Sequence, residues 1–227
     1  MRPTRREWLL AAAALASGCD SARPRTGFLG AMERWNARFQ RLLFDEQRLA
    51  RELPASAETP LDDFPPYFVS PSMPLAPPGW ALRVSGLVER PLVLSLEALQ
   101  RMPRTELRVR HHCVEGWSAV ASWHGVSMRA LAERAGADPR ARFVEFRSFD
   151  SGYSSSWDRA SALHPQSILA YGMNGKPLGP DHGAPLRLYA AVKLGYKMVK
   201  YLTEVRFLDE NTGGYWEDRG YEWFAGV

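Results

Sequence analysis

The stretch Thr105-Glu106-Leu107-Arg108-Val109-Arg110-His111-His112-Cys113-Val114-Glu115-Gly116-Trp117-Ser118 organises the chain. From Thr105 to Arg110 apolar and polar residues alternate strictly, the pattern of a strand with one wet face. That alternation puts Leu107, Val109, His111 and Cys113 on one face. Cys113 therefore ends the strand and opens a loop, where reactive groups are usually displayed.

Outward from this strand, short β patterns alternate with short helices. Trp80, Leu82 and Val84 alternate with Arg83 and Ser85. Ser95 is placed to cap a helix running to Arg101, and Ser127 a second helix stopping at Gly136. Residues 141–149 read as a strand. Asn174-Gly175, between Leu169-Ala170-Tyr171 and Lys176-Pro177-Leu178, is a hairpin turn. Residues 185–192 and 203–208 read as two further strands. The expected class is α+β, with mixed β-sheets and short helices.

An amphipathic helix is expected ahead of this body. Over residues 28–53, Phe28, Met32, Trp35, Phe39, Leu42, Leu49 and Leu53 step by three, four or seven, with Arg34, Arg38, Arg41, Arg48 and Arg51 mostly off the stripe. Such a helix fits a membrane surface or a partner. Packing against its own domain is the expected arrangement, because aromatic stripes at this spacing are usually core. Prolines 54, 60, 65, 66, 71, 74, 77 and 78 then impose extended, irregular chain. With Trp35, Phe64, Tyr67 and Phe68 as anchors, it is expected to wrap the surface.

The N-terminus reads as an address. Arg5 and Arg6 precede the apolar stretch Trp8–Ala16, and Ala16-Ser17-Gly18-Cys19 follows. This is the anatomy of an export signal, and the pair resembles a twin-arginine signal. The segment resembles a lipoprotein signal with Cys19 as the lipidated residue, and Asp20 resembles the residue that retains lipoproteins at the inner membrane of Gram-negative cells. The expected organisation is an export signal at 1–18, a tether with the amphipathic helix at 19–56 and the folded domain at 57–227.

Composition narrows the chemistry. The 227 residues are 45% hydrophobic and 24% charged, a globular balance. The net charge is +4, of which Arg2, Arg5, Arg6 and Glu7 supply half, so nucleic acid is not an expected partner. Cys19 and Cys113 are the only cysteines, which excludes zinc ribbons, iron–sulfur sites and disulfide scaffolds. Arg108, Arg110, His111 and His112 are near enough in sequence to lower the thiol pKa of Cys113. Three roles for Cys113 stay open on the residues alone. It is an inert buried thiol, the nucleophile of a Cys–His hydrolase with His111, His112, His124, His164 or His182 as base, or a ligand to a metal cofactor. Downstream, His182 and Arg187 at a strand start and Lys193, Lys197 and Lys200 around Gly195 suit either a phosphate-bearing ligand or a solvated basic surface.

Taken together, Cys113-Val114-Glu115-Gly116-Trp117-Ser118, Gly172-Met173-Asn174-Gly175-Lys176-Pro177-Leu178, His182-Gly183-Ala184-Pro185-Leu186-Arg187, Gly195-Tyr196-Lys197-Met198-Val199-Lys200 and Gly213-Gly214-Tyr215-Trp216 resemble, in order, the molybdopterin-binding domain of the sulfite oxidase family. The resemblance is closest to the exported branch that contains the catalytic subunit of periplasmic methionine-sulfoxide reductase. It implies one molybdenum–molybdopterin per chain, with Cys113 as the metal's protein ligand. It implies cofactor contacts at Tyr67, Phe68, Ser70, Ser148, His182, Arg187, Met198, Val199 and Lys200. Glu115 and, less directly, Asp158 are candidates for proton delivery. The family's dimerisation domain is not expected here, and neither is a haem site.

The expected activity is oxygen-atom or electron-pair transfer on a small oxo-substrate, with sulfoxide-type reduction favoured. Sulfite oxidation and a non-catalytic binding protein that kept the fold are the alternatives. A membrane haem- or quinol-linked redox partner and a periplasmic, inner-membrane-tethered location complete the expectation.

Overall fold

The computed structural model describes residues 27–150 and 152–227. The expected export signal, Cys19 and the start of the tether lie outside them. Helix α1 spans Gly27–Leu43. The body then follows as β1 (Leu82–Gly86), β2 (Leu92–Leu94), α2 (Leu96–Gln100), β3 (Arg104–His112), β4 (Ser118–Ser127), α3 (Met128–Ala135), β5 (Phe143–Ser148), β6 (Ser154–Asp158), α4 (Arg159–Ala162), β7 (Ser167–Met173), β8 (Lys176–Pro177), β9 (Arg187–Ala190) and β10 (Leu202–Leu208).

Two five-stranded sheets carry the fold. The first runs β2-β1-β10-β5-β6 and is mixed, because β1 and β10 pair in parallel while the other pairs are antiparallel. The second runs β3-β4-β7-β8, with β9 also on β7, and is wholly antiparallel. Strand alternation explains how the second sheet serves two cores. Leu169 and Tyr171 of β7 and Leu188 and Ala190 of β9 join the first sheet's core around Val144, Phe146, Val205 and Phe207. Ile168, Ala170 and Tyr189 point the other way, into a second core with Phe64, Val109 and Trp123. Arg187 shares the Tyr189 side, and this parity aims it at the functional cleft.

Local chemistry set many element ends as expected. The Ser95 hydroxyl accepts from the Ala98 N–H at 3.2 Å, and the Ser127 hydroxyl accepts from Arg129 and Ala130. Gly136 closes α3 in the left-handed region, φ 65°. Asn174 and Gly175, φ 47° and 72°, make the β7–β8 turn. The Asn174 side chain also accepts from Ser122 N–H at 3.0 Å and donates to Thr59 O at 3.0 Å, pinning the Pro-rich segment to β4.

Two expectations about the N-terminal segment are corrected. The helix stops at Leu43 rather than near residue 53, and Leu53 instead donates its N–H to Arg108 O of β3 at 2.9 Å. The apolar stripe is not packed on its own domain, because Phe28, Met32, Trp35, Phe39 and Leu42 are exposed. Trp35 is therefore no anchor for residues 54–79. Phe64 fills that role, 4% exposed and ringed by His111, Trp117, Trp123 and His182. The Pro-rich segment does wrap the surface.

Candidate active site

The site begins with the β3–β4 hairpin. Nine residue pairs, from Arg104↔Val126 to His112↔Ser118, zip the two strands together. The tip is closed by Cys113 N–H donating to Trp117 O at 3.0 Å and by Gly116 at φ 91°. A side chain at that φ would be strained, so glycine suits the turn that presents Cys113. Leu107, Val109 and His111 are buried as the alternation requires, and Cys113 is half-buried at the mouth of a cleft of about 390 Å³.

The cleft gathers most of the expected residues. Tyr67, Phe68, Cys113, Glu115, His182, Arg187, Met198 and Lys200 all line it. The loop between β9 and β10 reaches the site because Gly195 lies against His111; a Cβ there would meet His111 Nε2 at 2.6 Å. Gly183, at φ 104°, likewise lets the His182 turn approach Lys200.

Four expected residues sit elsewhere. Ser70 and Ser148 stand one shell back, where both bond Asp150. Its carboxylate accepts from Val69 N–H at 2.8 Å and from the N–H and hydroxyl of Ser70, and the Ser148 hydroxyl accepts from Asp150 N–H at 2.8 Å. Val199 is fully buried in the first core, its carbonyl bonded to Leu188 N–H. Asp158 does not reach the cleft. Its carboxylate caps α4, accepting from Ser161 N–H at 2.9 Å and Ser161 Oγ at 2.8 Å, and lies 3.7 Å from Lys193 Nζ. A carboxylate consumed by a buried cap and ion pair is a structural group, so the proton-delivery role of Asp158 is withdrawn. Sequence reasoning missed Asp150, Phe64, Tyr153 and Tyr221 as lining residues. The aromatics left no signal because they come from distant loops, and Asp150 none because a lone loop aspartate is ordinary.

The electrostatics of the cleft are unusual. Arg187 is 5% exposed, donates from Nη1 to His182 O at 3.0 Å and stacks 4.7 Å from the Trp123 ring. Its Nε has no partner, and no carboxylate pairs with it. Burial brings its pKa down to about 10. Lys200 donates to Asp181 O at 2.8 Å, and burial together with Arg187 lowers it to about 7. His111 is held to about 3 by burial and then by Arg187, so it is neutral at physiological pH. His111 Nδ1 and the Tyr189 and Tyr201 hydroxyls are buried without a hydrogen-bond partner, and His182 Nε2 meets only Asp181 Oδ2, at 3.6 Å. Desolvating a cation such as Arg187 without a counter-ion costs several kcal/mol, and Lys200 has only the more distant Asp181 and Asp150 carboxylates. The site is therefore built to receive an anion with further hydrogen-bonding edges.

Cys113 corrects another expectation. Its thiol pKa is raised, not lowered, by burial and the Glu115 carboxylate beside it. Its hydrogen bond runs to Glu115 Oε2 at 3.6 Å, not to a histidine. A Cys–His nucleophile lacks its base in this arrangement. No cluster of three or more His, Cys, Asp or Glu able to hold a metal occurs among the described residues. One thiol over buried cations fits a metal that arrives within an anionic organic cofactor.

Comparison with known proteins agrees. A family model described as the oxidoreductase molybdopterin binding domain matches residues 70–216. A protein of Azospira oryzae, provisionally named as protein-methionine-sulfoxide reductase subunit YedZ1, is 37% identical over 99% of this chain and 88% of its own. The protein-methionine-sulfoxide reductase catalytic subunit MsrP of Campylobacter jejuni is 34% identical over 65% of this chain, which spans 56% of that protein's length. The sulfane dehydrogenase SoxCD of Paracoccus pantotrophus has a similar fold, with a TM-score of 0.56 and 25% identity over 59% of this chain and 39% of that one. Placed beside the cleft's lone thiol and unpaired cations, these matches show that the chain belongs to the molybdopterin-binding oxidoreductases of the sulfite oxidase family.

Proposed function

We propose that this oxidoreductase carries one molybdenum–molybdopterin per chain and reduces a small sulfoxide-type substrate. The observation that carries the reading is the convergence on one cleft of the Cys113 thiol with buried Arg187 and half-buried Lys200, neither of which is within salt-bridge distance of a carboxylate among the described residues. When bound, the cofactor supplies two-electron oxygen-atom transfer. Arg187 and Lys200 would hold its anionic end, with Met198 and His182 in the lining of the same cleft. Cys113 would supply the thiolate to the metal, and ligation would offset the raised thiol pKa. Glu115 holds a proton acceptor at Oε2 beside the sulfur, fixed by the Trp117 indole N–H at 3.0 Å. Tyr67, Trp216 and Tyr221 form an aromatic rim, with ring centroids 6.1 and 4.9 Å apart along that series. Such a rim orients an apolar substrate and thins the water around it.

The relatives named as methionine-sulfoxide reductases support reduction. The likeness to a sulfane dehydrogenase keeps the oxidative direction, sulfite included, as the second reading. We further infer export to the periplasm, a lipid on Cys19 and electron delivery from a haem- or quinol-linked membrane partner. The paired Arg5-Arg6 and the segment ending at Cys19 support this. Steady-state assays separate the two directions: reduced viologen with sulfoxides and N-oxides against ferricyanide with sulfite. Sulfite oxidation without any sulfoxide or N-oxide reduction overturns the reductase reading.

A further inference from the structure

Helix α1 is mounted with its amphipathicity reversed. Its contacts with the body come from Asn36, whose amide donates to Glu222 Oε2 at 3.0 Å, and from Arg41, which lies 5.9 Å from the Trp223 ring. Phe44, just past the helix, packs on Phe224 at 5.7 Å. At 100° per residue, the direction opposite these contacts carries Phe28, Met32, Trp35, Phe39 and Leu42. They are 76%, 46%, 59%, 45% and 80% exposed, and Trp35 and Phe39 stack at 5.5 Å into one flat apolar surface. A helix packed only to satisfy its own domain turns that face inward. Turned outward, it forms a contiguous apolar patch that requires a cover.

The charges around the stripe identify the cover. Exposed Arg34 and Arg38 flank it on one side, and Arg41 follows toward the body. Glu33 is the helix's one acid; it is half-buried and lies on the body-facing half. The outward half therefore presents apolar and cationic groups with no acid. Trp and Phe in the centre of an apolar stripe with arginines beside it suit the boundary between anionic headgroups and acyl chains, where arginine stems lie along the apolar surface. No helix among the described residues is long and apolar enough to cross a membrane, so a membrane contact through α1 would be interfacial rather than spanning.

We propose that the outward face of α1 docks on an anionic phospholipid bilayer surface, holding the catalytic body against the membrane. The geometry stands whether or not Cys19 is acylated. Where Cys19 is acylated, α1 is the second signal that stable anchoring takes, since one chain alone binds marginally.

The test uses the full chain carrying Cys19→Ser, so that no lipid contributes, with sedimentation on phosphatidylcholine vesicles with and without phosphatidylglycerol. The N-terminal signal is present in every variant, so differences report α1 alone. The parent is expected to bind the phosphatidylglycerol-containing vesicles preferentially, with binding falling as salt rises. Trp35→Glu with Phe39→Glu is expected to weaken binding roughly tenfold or more. Arg34→Gln with Arg38→Gln is expected to lose roughly 25-fold on the anionic vesicles and little on neutral ones, about fivefold per arginine. All four side chains are exposed, so near-ultraviolet circular dichroism should match the parent. Unchanged vesicle binding in the aromatic double variant overturns the proposal. So does self-association of the parent that this variant abolishes while vesicle binding persists, which assigns the face to a second copy.

Discussion

Cys113 Sγ lies 3.6 Å from Glu115 Oε2 across the tip of the β3–β4 hairpin, and the same Oε2 accepts from the Trp117 indole at 3.0 Å. The thiol proposed as the metal ligand and its nearest carboxylate are thus held by the same five-residue turn. Metal ligation and proton handling can be separated by substitution at two positions two residues apart.

Cys113→Ser is expected to abolish turnover while leaving cofactor in place through Arg187 and Lys200. The molybdenum(V) paramagnetic signal should change, because a hard oxygen replaces sulfur. An unaltered signal with full activity would remove Cys113 from the metal.

Glu115→Gln keeps the acceptor for Trp117 and removes the charge. It should retain full cofactor content and lower kcat by about 100-fold or more, the ordinary worth of a positioned acid–base group. A normal kcat reduces Glu115 to a turn residue.

Arg187→Ala should yield protein largely free of cofactor. Loss of a buried charge-assisted contact costs about 2–5 kcal/mol, on the order of 30- to 5000-fold in affinity. Arg187→Lys keeps the charge but not the fork, and should recover part of the loading. Stoichiometric molybdenum in Arg187→Ala contradicts the assignment.

The parts of this site that could be read from sequence are those where a local rule decides. Period-two alternation in β3 fixed the face of His111 and Cys113, and serine caps and the Asn-Gly turn located α2, α3 and the β7–β8 hairpin. Strand β4 escaped because residues 119–126 are all buried, which erases the alternation that marks a half-wet strand. Strand β6 escaped because Ser154-Ser155-Ser156 is poor in strand formers. Its serines are tolerated because Ser155 and Ser156 side chains bond Glu217 and Asn211. Helix α1 carried the right period but not its orientation, because period alone says which residues share a face and nothing about what covers it. The thiol pKa of Cys113 was misjudged for a related reason. Sequence neighbours supplied four basic side chains, whereas the turn placed a carboxylate nearest and added burial.

Asp158→Ala separates structure from chemistry. The α4 cap is lost and Lys193, 1% exposed, loses its only carboxylate within 4 Å among the described residues. Loss of the cap costs about 1 kcal/mol, and without Asp158 the buried Lys193 must shed its proton or stand unpaired, which costs up to about 3–5 kcal/mol more. Thermal stability should fall sharply, while turnover per bound cofactor stays at the parent value. A stable variant with collapsed turnover would return Asp158 to the chemistry.

The pH dependence of the cofactor-free protein follows from its buried lysines. Burial lowers Lys193 to about 7, against the pull of Asp158, and lowers Lys200 to about 7 with help from Arg187. In the unfolded chain both titrate near 10.4. Between about pH 7 and 10 the unfolded state therefore binds more protons than the folded one, and stability rises with pH across that window. Below pH 7 both states are protonated at these positions and the slope disappears. Above about pH 10 the sign reverses, because burial raises Tyr201 to about 12 and also raises Tyr189, so that the folded state then holds the extra protons. The melting temperature of cofactor-free protein should accordingly climb from pH 7 to pH 9. Cofactor loading should flatten the climb, since an anion beside Lys200 restores its proton, leaving the contributions of Lys193 and of Lys197, which burial also lowers. A flat profile in the cofactor-free protein would mean that these lysines are solvated in solution. The same slope in loaded and cofactor-free protein would place the anion away from Lys200.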